Sequence, residues 1–162
     1  MTGPHPSDSS VQRGAESAIV AALSDKLRIP LDAGGALTLS NGARIHLDAV
    51  SEDGGAAVEA YARQGRLKGG QLKKIAQDVL KLAMLRQDPA YTDVRAIIAF
   101  ASDEARQSIT GWVQHAADVF GVEFHVVDLD PALRAQLLAT QERQKMVNVP
   151  LPEAADDVLL QE

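Results

Sequence analysis

Between residues 94 and 101 the chain reads Val-Arg-Ala-Ile-Ile-Ala-Phe-Ala, a nearly continuous apolar run. A strand with one wet face alternates apolar and polar residues. This run does not, so it predicts a strand covered on both sides. Helical periodicity on either flank supplies the covers. Leu72, Ile75, Ala76, Val79, Leu82 and Ala83 recur at helical spacing and predict a helix from about Gly70 to Arg86, ended by Asp88-Pro89. After the run, Ser102 or Asp103 caps a further helix whose stripe is Ala105, Ile109, Trp112, Val113, Ala116 and Val119, closed by Gly121. Trp112 is thereby assigned to the core.

The remaining elements follow from the same signals. Val11, Ala15, Ile19 and Ala22, with Val20, Leu23 and Leu27, predict a first helix from about Ser9 to Leu27, stopped by Pro30. Ala36 to Ser40, Ala43 to Val50 and Ala56 to Ala62 read as three short strands. Asn41-Gly42 and Asp53-Gly54-Gly55 join them tightly enough for an antiparallel meander. Val122 to Leu129 is a fifth strand, and Asp130-Pro131 opens a last helix. The order is α-βββ-α-β-α-β-α. Helical crossovers before the fourth and fifth strands imply parallel pairing there. The expected fold is therefore α/β, a mixed β-sheet flanked by helices.

Its 162 residues suit one domain with its own core. Residues 1–8 read as a disordered leader, 9–147 as the domain and 148–162 as an acidic tail, in which Val158, Leu159 and Leu160 could dock on a protein partner. With no cysteine, thiolate metal sites, disulfides and cysteine catalysis are excluded. No stretch is apolar enough for a signal peptide or membrane span, so the expected setting is cytoplasmic. The formal charge is -6, which disfavours a general nucleic-acid coat. That value hides an uneven distribution. From Arg63 to Arg86 seven basic residues face one acid, Asp78, a local +6 that leaves -12 for the rest. Arg63, Arg66, Lys73 and Lys74 are the expected phosphate contacts, aided by the Gly69-Gly70 pair at a helix start.

Several chemistries find no footing. The segment Gly65 to Gly70 lacks the Gly-Lys-Ser/Thr order of a phosphate-binding loop, and there is no serine elbow motif. With one Trp, two Tyr and three Phe, a base-stacking platform is unsupported. His5, His115 and His125 have no spacing partner, while His46 lies two residues before Asp48. Two-residue alternation puts Ile45, Leu47 and Ala49 on one face of the second strand and Arg44, His46 and Asp48 on the other. In the third strand Ala57, Glu59 and Tyr61 oppose Val58, Ala60 and Ala62. Across a short hairpin Asp48 and Glu59 come close. Two adjacent carboxylates are costly without a cation, and hard oxygen ligands suit Mg or Mn. Glu16 sits in line with the buried stripe of the first helix, over the same sheet end.

The element order from Ser9 to Leu129, with Asp48 near the end of the second strand, Glu59 in the third and Glu16 in the first helix, resembles the PD-(D/E)XK nuclease-like superfamily. The resemblance implies a restriction endonuclease-like core in which Asp48 and Glu59 bind the divalent metal, with phosphodiester hydrolysis in DNA or RNA as the activity. It also implies a lysine two residues after the second acid, where this chain has Tyr61. Either a neighbouring lysine, Lys68 or Lys73, supplies that charge, with Lys68 offsetting charge in the transition state, or the site is degenerate and the domain binds nucleic acid or protein without catalysis.

Overall fold

A computed structural model describes residues 6–147, so most of the expected leader and the whole expected tail, with His5, lie outside the described residues. The elements are α1 (Pro6–Leu27), β1 (Asp32–Thr38), β2 (Arg44–Val50), β3 (Ala56–Tyr61), α2 (Gly69–Gln87), β4 (Arg95–Phe100), α3 (Asp103–Gln107), α4 (Gly111–Phe120), β5 (Val122–Val126) and α5 (Pro131–Val147). The five strands form one mixed open sheet in the order β1-β2-β3-β4-β5. The two short turns make β1, β2 and β3 antiparallel, while the helical crossovers make β3, β4 and β5 parallel, as the pattern predicts. In the first turn Asn41 Oδ1 accepts from Ala43 N at 3.0 Å, a side-chain mimic of a backbone turn. Among the described residues no helix is long and apolar enough to cross a membrane.

The continuous apolar run is explained by two cores. Ala96, Ile98 and Phe100 point to the side covered by α2 and α4, and Ile97, Ala99 and Ala101 to the side covered by α1 and α5. All six are fully buried. Phe100 anchors the first core, stacked on Tyr61 at 5.8 Å between ring centroids and edge-on to Phe124 at 5.6 Å.

The structure corrects the expected boundaries and one element. α1 starts at Pro6, so the last three residues assigned to the leader are helical; β1 begins at Asp32 and β5 stops at Val126. The helix expected from Ser102 to Gly121 is two helices. Ser108 ends α3, and the chain turns at Gly111 with φ +64°, a left-handed conformation that breaks the ladder. Gly121 closes α4 in the same left-handed region, as expected. The break rotates α4 relative to the assumed stripe, so Trp112 is 74% exposed rather than in the core, and Val119 is exposed as well. Trp112→Ser should accordingly change unfolding stability by less than ~0.5 kcal/mol. A loss of about 3 kcal/mol or more in urea melts, the cost of truncating a core aromatic, would contradict this placement.

Candidate active site at the fork between β2 and β3

β2 and β3 pair through Ala49↔Val58 and Val50↔Ala57, a register that sets Asp48 opposite Glu59. There the ladder ends. Asp48 Oδ2 takes the backbone N–H of Ala60 at 2.8 Å, so a side chain replaces the next rung. The expected alternation in β2 fails at this point. Ile45 and Leu47 pack towards α2, Ala49 packs towards α1, and Val50 returns to the α2 side. Asp48 is thus the residue at which the strand changes face, and it has no rung in the β1–β2 ladder, which passes from Gly35↔Leu47 to Ala33↔Ala49. Gly34 faces this irregularity with φ +68°. No residue is inserted, since the register is the same on both sides of the missing Gly34–Asp48 pair.

Glu59 is buried beside Asp48, and the two carboxyl groups are within hydrogen-bonding reach. Burial drives the Glu59 carboxyl up to about 7, and Asp48 pushes in the same direction, while an ion pair with Lys81 of α2 opposes them. Lys81 Nζ also lies 3.5 Å from Asp78 Oδ1 and donates to the carbonyl of His46 at 3.1 Å. Burial disfavours the Lys81 charge, but Glu59 and Asp78 more than compensate and its pKa is raised. Tyr61 donates its hydroxyl to Asp78 Oδ2, and its pKa is raised by burial and by that carboxylate. Lys74 Nζ approaches the same Asp78 oxygen at 3.3 Å and lies 5.0 Å from the centroid of the Tyr61 ring.

Asp48, Tyr61 and Lys74 open from this network onto a cleft of about 270 Å³, while Glu59, Asp78 and Lys81 stay behind its wall. Glu16, Asp48, Tyr61, Arg63, Gln71 and Lys74 line it, with α5 contributing Leu137, Thr140, Gln141 and Gln144. Glu16 is half-buried, and its carboxyl is raised by desolvation and by Asp48, with Gln12 donating to it at 3.3 Å.

Of the residues singled out in the sequence, Asp48, Glu16, Arg63 and Lys74 meet at the cleft, with Glu59 buried next to Asp48. Lys68 stands at the exposed N-cap of α2, its backbone N–H bonded to Gln71 Oε1 at 2.8 Å, and does not line the cleft. Lys73 faces a separate groove with Trp112, Arg66 is exposed in the loop before α2, and His46 is exposed. The residues that sequence reasoning passed over are Asp78 and Lys81. Their signal was spacing: Lys74, Asp78 and Lys81 fall at i, i+4 and i+7, one face of a helix.

As a cation site the donor set has the right chemistry in Asp48 and Glu59, two hard oxygen donors already brought together at an energetic cost. Among the described residues no group of three or more His, Cys, Asp or Glu side chains is gathered for a metal ion. No protein-family model matches the chain, and no curated protein or solved structure matches it.

Proposed function

We propose that this domain is a divergent PD-(D/E)XK-type phosphodiesterase with a restriction endonuclease-like core, acting on nucleic acid with Mg or Mn held by Asp48 and Glu59. The observation that carries this reading is the place of Asp48 where β2 and β3 part, beside the buried Glu59 and on the same cleft as Lys74. A divalent cation there would polarise the phosphate and lower the pKa of water. Lys74 fills the role the resemblance gives to a lysine at the position of Tyr61. Its ammonium rests over the ring of the residue that stands in that lysine's place and is steadied by Asp78. From there it offsets negative charge that grows on the phosphate oxygens. Arg63 on the cleft wall orients the same phosphate. In the reaction, a water oxygen bonds to phosphorus, one P–O ester bond breaks, and the leaving alkoxide takes a proton.

One observation favours the second reading, a binding module without catalysis. Lys81 already neutralises Glu59 from within the fold. The two readings separate on titration with Mn²⁺ followed by calorimetry, alongside a cleavage assay on DNA and RNA. The enzyme reading expects Mn²⁺ binding that weakens at least ~10-fold in Asp48→Asn, a loss of about 1.4 kcal/mol. It also expects Lys74→Ala to lower cleavage at least ~10-fold while Mn²⁺ affinity holds. Nucleic-acid binding indifferent to Mn²⁺ and to Asp48→Asn would establish the module instead.

A further inference from the structure

We infer that the cleft accepts a nucleotide of an unpaired strand and excludes an intact duplex, an inference that rests on the phosphodiesterase reading above. The first ground is size. At about 270 Å³ the cleft lies just below the roughly 300–1,000 Å³ typical of pockets that enclose one small ligand. It is a half-open cleft sized for one small ligand rather than for a run of base pairs. The second ground is the wall. Leu137, Thr140, Gln141 and Gln144 fall at i, i+3, i+4 and i+7 of α5, so one helix face closes the cleft opposite α2. Gln141 is fixed there by a reciprocal pair with the backbone of Gln64, accepting from its N–H at 2.8 Å and donating to its carbonyl at 3.0 Å. A wall pinned at its centre does not swing aside to admit a second strand.

The lining chemistry agrees. Two cations, Arg63 and Lys74, border the cleft, enough for one or two phosphates rather than the row of contacts a duplex offers. Arg63 lines the cleft, and its buried Nε has no hydrogen-bond acceptor among the described residues, so no internal acceptor fixes that side of the guanidinium. On the α1 side the lining adds the Glu16 carboxylate, to which the Gln12 amide donates, and on the α5 side the neutral amide of Gln144. Amides both donate and accept, which suits the edge of an unstacked base, whereas a paired base has that edge occupied.

The test uses the full chain with Mn²⁺ and a fluorescent oligonucleotide in four forms: single-stranded DNA, single-stranded RNA, the DNA annealed to its complement, and the duplex with an unpaired overhang. At least one single strand should bind and be cut at least ~10-fold better than the blunt duplex, with the overhang intermediate. Its log affinity should fall on log salt with a slope near -1.4, about -0.7 for each of two phosphates. Gln12→Ala/Gln144→Ala should lower single-strand affinity, and Arg63→Gln should flatten the salt slope. Duplex cut as fast as single strand, or a slope several-fold steeper, overturns this inference and leaves the phosphodiesterase reading standing. Absence of binding and cleavage for every form overturns both.

Discussion

Replacing Asp78 with alanine is expected to cost about 3 kcal/mol of folding stability, the lower end of the range for breaking a buried ion pair by removing one partner. Asp78 is buried, and three groups converge on its carboxylate: the Tyr61 hydroxyl, Lys74 at 3.3 Å and Lys81 at 3.5 Å. Alanine would leave the Tyr61 hydroxyl without its acceptor inside the core and remove one of the two anions that balance Lys81. The value stays at the low end because Lys81 keeps Glu59 and because Lys74 is largely exposed. Asp78→Asn retains an acceptor and loses only the charge, so about half the cost is expected. Tyr61→Phe removes the hydroxyl and leaves the carboxylate its two lysines, so it should cost about 1 kcal/mol. Urea melts at fixed pH measure all three as shifts in midpoint at constant slope. If Asp78→Ala falls within ~0.5 kcal/mol of the unsubstituted protein, the network is not a structural element of the core.

The same network shows what the sequence could reveal. The strand faces of β3 and β4, the two antiparallel turns and the parallel crossovers were legible because each rests on a local period or a turn residue. The approach of Asp48 to Glu59 was legible as a consequence of hairpin register. The change of face at Asp48 was not, because it comes from a pair missing between Asp48 and the left-handed Gly34 within a continuous register, which no two-residue period encodes. The cation of the cleft was legible only to the level of the basic run from Arg63 to Arg86. Which lysine reaches the site depends on the phase of α2 against the sheet. That phase puts Lys74 and Lys81 towards β3 and leaves Lys68 at the cap and Lys73 on the α4 side. Asp78 is the one acid in that run, and its isolation among seven basic residues was the available clue to a buried partner. The division of α3 from α4 was hidden because a stripe reading tolerates a single turn of slippage, while Gly111 imposes a change of direction.

The second large effect expected is a loss of about 3 kcal/mol of stability between pH 5 and pH 8 in the metal-free protein, traceable to Glu59. Burial holds its carboxyl at about 7 rather than the ordinary 4.5, against the opposing pull of Lys81 and with Asp48 adding to the rise. Between those two values the folded protein retains a proton that the unfolded chain has released. Stability is therefore fully present below 4.5 and falls as pH rises through 7, with each tenfold in proton affinity worth about 1.4 kcal/mol. Solvent does little to soften this, since only 4% of the side chain is exposed. Glu16, raised in the same direction by desolvation, adds a smaller term of the same sign. Glu59→Gln keeps the shape and cannot ionise, so its stability between pH 5 and pH 8 should fall less, by what Glu16 still contributes, and the difference between the two curves isolates Glu59. A cation held by Asp48 and Glu59 would require both to be ionised and would expel the proton. Added Mn²⁺ should then stabilise the unsubstituted protein more at pH 8 than at pH 5.5 and should leave Glu59→Gln nearly unaffected. A metal-free curve as flat as that of Glu59→Gln would mean that Lys81 keeps Glu59 ionised throughout, and with it a site whose positive charge is supplied from within the fold.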